Sequence, residues 1–487
     1  MAAAGTISAR TPSSGRDAGW LVSADLLAVG LAFLGQILLT HALLAEHYGW
    51  MVLAIDLYAS IFLVIDLGLP TLLARDGSHA PHMVRPAVGR IYRWQFMVSM
   101  PFIALAFFIQ PQSLIDLTAA STLLFIAACI ALVHIAAYAP RSGLRAIGEA
   151  RFEALSKLLE RLLTVLGYAV LYIGGSTNVE AYALVFLLGA TVGTGSSLLF
   201  LGRITKTMNG TDSWSELDPV WSNSRTLLWT ALPFAITLGV LPYVIRIEKF
   251  IVAGTAGAQA AAVFHVAQLA WLAGLVVPSA MRAALLPVLG ANRHHPYLRR
   301  NDMDTSLSMC FGLLPIGLFG GALIVKILAP VAFPDEYLDG THGASAVTLF
   351  NILLFGWACT LLATPTYTAL MAGNRPWKFT QFILIVVLCA VLLGWLLIGI
   401  LPESDMGRLH AASIASSLSA FFLLVTSWSM SDHFSSIWRR RDEWALAGLG
   451  TCFVVLGLVS QTGWWVLGLP LFTFLPQGWR AARSTLS

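Results

Sequence analysis

Four places in the chain combine residue types and spacings that suit chemistry. In Ala45 to Arg75, AEHYGWMVLAIDLYASIFLVIDLGLPTLLAR, the apolar run between Tyr48 and Ala74 holds two acids, Asp56 and Asp66, and no lysine or arginine. An acid inside a membrane span is costly and marks a functional-site hypothesis. A buried carboxylate of this kind suits the binding of a coupling proton or sodium ion. The stretch LPYVIRIEKF, which contains Pro242 and follows Pro233, brings Arg246, Glu248 and Lys249 together. Arg246 and Lys249 are three apart, so they share one face of a continuing helix. Two cations on one face suit a phosphate, to which an arginine fork donates paired hydrogen bonds. Glu248 joins the ion-coupling candidates. The first apolar block carries Asp25, Gln36 and Thr40. Asp25 and Gln36 are close to three helical turns apart, and Thr40 follows one turn later, so the three form a polar stripe. Lys326 ends a long apolar stretch and is a fourth cationic candidate for lining a cavity.

Simpler readings stand beside these. Asp66 would be solvated at a helix end, and Asp25 wet at the membrane boundary. Arg246, Glu248 and Lys249 would form an interfacial ion cluster that reaches outward to headgroups. His134 and His265 read as packing residues inside spans, and Gln268, Asn351 and Gln381 as interhelical hydrogen bonders. In RFEALSKLLERL, Glu153 and Lys157 form an i,i+4 pair near the membrane surface.

The elements that hold these residues are membrane helices. Of 487 residues, 57% are hydrophobic and 11% charged, against about 25% charged in a soluble protein. The apolar residues come in blocks of about 20, the length of a spanning helix. The five cysteines (Cys129, Cys310, Cys359, Cys389 and Cys452) lie inside apolar blocks without CxxC spacing. They exclude a zinc site or a disulfide framework. Trp20 to Thr40 is too long for a signal-peptide core and reads as an uncleaved first span.

The expected fold is an all-α polytopic membrane protein of about fourteen transmembrane helices. The spans fall near 20–41, 50–74, 92–110, 117–139, 157–174, 180–202, 226–246, 260–287, 306–330, 344–371, 379–401, 409–430, 444–461 and 464–477. With the amino terminus in the cytoplasm, all but four of the 29 basic residues fall on the cytoplasmic side. That is the bias the positive-inside rule demands. The four exceptions are Arg246, Lys249, Lys326 and Arg408, at outer ends of spans or in outer loops. Loops such as QPQSLID, GGSTNVE and PESDMGR are too short for a folded domain carrying catalytic acids or a metal. The chain is therefore expected not to be an enzyme, to need no cofactor and no metal, and to bind no nucleic acid.

A shift of 213 residues lays the opening of span two on QAAAVFHVAQL, with Gly49 on Ala262, Met51 on Phe264 and Ala54 on Ala267. This suggests a parallel repeat about an axis along the membrane normal. The expected organisation is a cytoplasmic tail (1–19), a six-helix bundle (20–205), a polar linker (206–225), a second, pseudo-repeated six-helix bundle (226–431) and a C-terminal helical hairpin with a tail (432–487).

Three motifs carry a family resemblance. AEHYG with IDLGLPTLLAR, RSGLRAIGEARFEAL after span four, and LPFAITLGVLPYVIRIEKFIVAGTAGAQAAAVFHVAQL resemble Wzx-type polysaccharide and lipid-linked oligosaccharide flippases of the multidrug/oligosaccharidyl-lipid/polysaccharide exporter superfamily. The resemblance covers roughly residues 20 to 430. Ala262 stands where the family often has glycine, and Phe264 where it often has tyrosine. Glu248 and Lys249 match a common carboxylate–base pair. The resemblance implies transport without bond making. An undecaprenyl-diphosphate-linked glycan would pass from the inner to the outer leaflet of a bacterial inner membrane by alternating access, driven by an ion. The implied partners are membrane lipids and the machinery of polysaccharide polymerisation and export, with both termini cytoplasmic. Two other functions remain: a multidrug or small-cation antiporter of the same superfamily, and a membrane-embedded glycan polymerase or glycosyltransferase.

Overall fold

The computed structural model describes residues 14–108, 121–206, 208, 213–240, 243–291, 296–372, 376–400, 403–431 and 438–473. Among them every regular element is helical. The helices are α1 (Ser14–Ala42), α2 (Ala45–Phe62), α3 (Leu69–Asp76), α4 (Val84–Phe108), α5 (Ser121–Ala146), α6 (Ala150–Ile173) and α7 (Val179–Thr205). They continue with α8 (Ser224–Val240), α9 (Tyr243–Gly274), α10 (Val276–Ala291), α11 (Pro296–Ala332), α12 (Ala346–Met371), α13 (Pro376–Gly394), α14 (Asp405–Met430), α15 (Arg441–Val459) and α16 (Trp465–Thr473). The loop QPQSLID, Pro242 and Arg375 lie outside the described residues.

Eight helical stretches among the described residues are long and apolar enough to cross a membrane, from Thr122–Ala146 to Arg441–Val459. The chain is a multi-pass membrane protein. Large apolar side chains such as Val170 and Ile173 stand exposed on the outside of the bundle, as contact with lipid requires. Helix α6 has the length to span but carries Glu153, Lys157, Glu160 and Arg161, which pair with one another and with Arg141 and Arg145 of α5.

Two expected spans are broken. The second ends as a helix at Phe62, passes through the 3-10 turn Leu63–Asp66, and restarts at Leu69. Leu67 (φ 57°) and Gly68 (φ 67°) are left-handed, and Pro70 then starts α3. A left-handed pair stops a helix, and proline is tolerated in a first turn. Asp66 therefore sits at a break instead of in a continuous helix. The seventh and eighth spans differ as well. Helix α9 runs unbroken from Tyr243 to a kink at Gly257 (φ 86°, ψ 176°), then on to Gly274. That backbone region is open essentially to glycine alone. Arg246, Glu248 and Lys249 were expected at a span end. They lie in the first two turns of α9, just after α8 ends at Val240.

Helices α1, α5, α6 and α7 pack on one another, as do α12, α13 and α14, and α2 runs along α9. Small residues allow these close approaches. A Cβ at Gly49 would lie 2.2 Å from the Ala258 carbonyl oxygen, and one at Gly356 would lie 3.1 Å from Ser417 Cα. Helix α13 ends in a π-helical turn, Trp395–Ile400. Ahead of α8, the linker forms two 3-10 turns, Trp214–Glu216 and Pro219–Ser222. It is anchored by the fully buried Trp221, whose Nε1 donates to Asp76 Oδ2 at 2.8 Å.

Candidate functional site

The contact of α2 with α9 brings the two principal motifs together. Lys249 Nζ donates to Asp56 Oδ2 at 2.6 Å, and Arg246 Nε lies 3.3 Å from Asp56 Oδ1. Arg246 also donates to Ser60 Oγ at 3.1 Å. Lys249 is only 3% exposed, against 17% for Asp56 and 25% for Arg246. These basic residues point into the protein, not outward to headgroups. Lys249 Nζ is also 2.8 Å from His265 Nδ1. An ammonium has only protons to offer, so His265 Nδ1 accepts and its hydrogen resides on Nε2. The His265 ring packs against Tyr48, with centroids 5.9 Å apart, and Tyr48 donates to Gln36 Oε1 at 2.7 Å. Gln36 on α1 and Tyr48 thus adjoin the hydrogen-bonded set His265, Lys249, Asp56 and Arg246 through the ring contact of Tyr48 with His265. With one acid for two bases, this face keeps a surplus positive charge.

Glu248 lies on the opposite side of the same helix turn. It is fully buried, beside Gly394 of α13 and the hydroxyls of Ser416 and Ser419 of α14. Neither carboxylate oxygen, nor Ser416 Oγ, has a well-formed hydrogen bond within the protein. Ser419 Oγ is turned to the Ala415 carbonyl. A bare carboxylate in such surroundings is costly unless it takes up a proton or a cation.

Asp66 is 2% exposed, and its Oδ1 has no partner. The break that carries it presses on α8, where a Cβ at Gly68 would lie 2.7 Å from the Ala231 carbonyl oxygen. Tyr138 of α5 stands within electrostatic reach of Asp66, Arg246, Arg141 and Glu160. It marks the space between the central site and a second buried ion cluster. In that cluster Arg141 donates to Glu160 Oε2 at 2.6 Å, and His134 Nε2 lies 3.1 Å from Glu160 Oε1. Gly193 of α7 leaves room for it, since a Cβ there would lie 2.7 Å from Glu160 Cβ. The expected Glu153–Lys157 pair forms at 3.2 Å, with Arg145 as an additional partner of Glu153.

The structure therefore joins Gln36, Asp56, Arg246 and Lys249. It places Glu248 and Asp66 in separate buried positions and leaves Lys326 apart. Lys326 is exposed on α11 between the exposed Leu323 and Ile327. It lies on the far side from the apolar cavity of about 550 Å³ that α11 shares with α1, α9 and α12. Nothing is described of the Asp25 side chain. Tyr48, Arg141 and Glu160 were not singled out from the sequence, and His134 and His265 were read as packing residues. Their signal is a polar residue inside an apolar block, which spacing along one helix cannot assign to a partner on another. No group of three or more His, Cys, Asp or Glu side chains that could hold a metal ion occurs among the described residues.

Solved structures share this architecture. An inward-facing multidrug resistance MATE family transporter of the MOP superfamily aligns with TM-score 0.62 at 15% identity, covering 84% of this chain and 96% of that one. The lipid II flippase MurJ in an inward closed conformation aligns with TM-score 0.62 at 11% identity, covering 96% and 99%. A MOP superfamily transporter from Pyrococcus furiosus aligns with TM-score 0.56 at 14% identity, covering 91% and 96%. That transporter is described as having a binding pocket of reversed polarity. At these identities the likeness establishes the fold, which is that of MOP-superfamily transporters. No curated protein matches the chain by sequence. The family model described as "Polysaccharide biosynthesis protein" matches residues 14–292, more than half of the chain. The chain therefore belongs to the polysaccharide biosynthesis protein family.

Proposed function

We propose that this protein is a flippase that carries an undecaprenyl-diphosphate-linked oligosaccharide from the cytoplasmic to the outer leaflet of a bacterial inner membrane. The observation that carries the reading is the surplus cation of the Asp56–Arg246–Lys249 face, buried at the contact of α2 with α9. A diphosphate cannot cross about 30 Å of hydrocarbon unaided. A buried lysine and a partly exposed arginine held ready by one aspartate offer it charge and hydrogen bonds in exchange for water. Gln36, partly exposed and held by the buried Tyr48, adds a neutral polar group suited to sugar hydroxyls. The family description and the lipid II flippase as a fold neighbour both support a lipid-linked glycan as cargo.

The two halves of the chain act as parallel repeats that rock about this contact, in the manner of alternating access. Both termini lie in the cytoplasm, on the arginine-rich side. Glu248, a buried acid with no ion-pair partner among the described residues, is the coupling site for a proton or a monovalent cation, and Asp66 is a second. Asp56 is committed to its two bases and serves as their counter-ion. Export of a small cation fits less well, because the central acid is already neutralised.

The test is a flip assay in proteoliposomes with a fluorescent undecaprenyl-diphosphate-linked glycan. Lys249→Glu should abolish movement of the glycan while the protein still folds and inserts. Unchanged flipping by that variant would overturn the cationic-site reading. Lys326→Gln should leave flipping unaltered.

A further inference from the structure

A cationic cavity lies at the arginine-rich end of α4, built from elements other than the α2 and α9 that carry the central site. It encloses about 310 Å³ and is lined by Arg90, Arg93, Trp94, Met97, Trp214 and Ser224. We propose that this cavity binds the phosphate headgroup of an anionic membrane lipid, and that the bound lipid ties α4 to the linker in front of α8.

The chemistry follows from what faces the cavity. Arg90 and Arg93 are one turn apart on α4, and no acid lines the space between them. The acids nearby are engaged elsewhere. Asp76 holds Arg75 and Trp221, Glu216 lies 3.1 Å from His82, and Asp218 accepts from the Val220 amide. Two like charges side by side without a carboxylate are stabilised by an anion that joins both. Arg90 is preset for this. Its guanidinium lies 4.9 Å from the Trp214 ring centroid, donates to Ser224 Oγ at 2.9 Å and also donates to the Trp221 carbonyl. Arg93 is exposed and supplies the open half of the clamp.

The walls point to a lipid. Indoles such as those of Trp94 and Trp214 favour the level of the headgroups. Farther along α4 toward the membrane, Phe96, Met97 and Met100 stand 60%, 63% and 48% exposed. A lipid with its phosphate between the two arginines would lay its chains over that apolar strip. The volume holds a headgroup, not just one water or a bare ion. Because Trp214 and Ser224 belong to the linker and the start of α8, the lipid would fasten the first half of the chain to the entry of the second. The site rests on neither the glycan nor the coupling ion.

The experiment is native mass spectrometry with thermal melting of the full-length protein in a neutral detergent. Phosphatidylglycerol, phosphatidylcholine or inorganic phosphate is added in separate arms. Phosphatidylglycerol should form a retained adduct and raise the melting temperature, with phosphatidylcholine weaker and inorganic phosphate without effect. Arg93→Gln makes no described contact that folding needs. It should weaken phosphatidylglycerol binding about fivefold, the loss expected for roughly one basic residue at a membrane surface. Arg203→Gln, an exposed arginine on the same side, should change nothing. Stabilisation by inorganic phosphate equal to that by phosphatidylglycerol would overturn the lipid as the source. Equal losses in the Arg93 and Arg203 variants, or no loss in the Arg93 variant, would overturn the site.

Discussion

Lys249 Nζ and Asp56 Oδ2 are 2.6 Å apart although 193 positions separate the residues in sequence. The pair is nearly dry on the lysine side, and Asp56 has Arg246 as its second partner. Removing one partner of a buried pair leaves the other uncompensated and costs about 3–5 kcal/mol. The loss should be unequal here. Asp56→Asn strands two bases and should fall in that range. Lys249→Met leaves the Asp56–Arg246 pair intact and should cost distinctly less. The double variant Asp56→Asn/Lys249→Met should be more stable than Asp56→Asn alone. Thermal melts of the four proteins in detergent give the ordering. A double variant no better than Asp56→Asn would show that the two side chains are not coupled.

Much of the fold was legible because lipid leaves few options. Blocks of about 20 apolar residues must be helices. The pairing of Asp56 with Lys249 was not legible, because it depends on which helices touch. The close approach that joins them is permitted by Gly49 against Ala258, and neither residue announces its partner. The break at Leu67–Gly68 did have a signal. In IDLGLPTLLAR, glycine two residues before proline marks a stop and a restart, but the apolar run around it concealed the interruption. Lys326 shows the opposite failure. Its charge suggested a cavity, and only the burial of its neighbours reveals that its side of α11 is exposed.

The kink in α9 rests on Gly257 and the contact beside it on Gly49. The two sites fail for different reasons. A Cβ at Gly257 meets no atom within 4 Å, so space is free, but its φ of 86° strains any other residue. Gly257→Ala should cost about 1–3 kcal/mol. Gly49→Ala meets backbone that cannot swing aside and should cost a comparable ~1–3 kcal/mol by overpacking. Gly254, in open space on the same helix, is the control. Gly254→Ala should be neutral or stabilise by up to about 1 kcal/mol, since alanine is the better helix former. Melting temperatures of the three variants separate strain and crowding from a general intolerance of α9 to substitution.

Glu160 carries the buried cluster of the first half. It is 3% exposed and faces His134, Arg141 and, at 3.8 Å, Arg161. Glu160→Ala should destabilise by about 3–5 kcal/mol, because Arg141 is itself largely buried and loses its counter-ion. The His82–Glu216 pair is its surface counterpart, with Glu216 37% exposed. Glu216→Ala should cost at most about 1 kcal/mol. Denaturation of both variants under one condition decides the comparison. Similar losses would mean that the Glu160 cluster is as well hydrated as the surface pair.

Glu248 offers a sharper test, because it separates binding of cargo from energising its movement. Its carboxylate oxygens have no well-formed hydrogen bond, it faces Ser416 and Ser419, and the π-helical turn Trp395–Ile400 follows its neighbour Gly394. Glu248→Gln keeps size and shape but removes the charge that a proton or cation would neutralise. The substitution should therefore leave the fold at least as stable as wild type, since a buried charge without a partner is costly. The Asp56–Arg246–Lys249 face points the other way on the helix, so glycan binding should persist within a few fold. Net accumulation of flipped glycan under an imposed proton or sodium gradient should be lost. What remains should be gradient-independent exchange between leaflets. Measuring binding, exchange and gradient-driven flipping on one preparation distinguishes the outcomes. If gradient-driven flipping survives in Glu248→Gln and disappears in Asp66→Asn, the coupling ion acts at the break in span two instead.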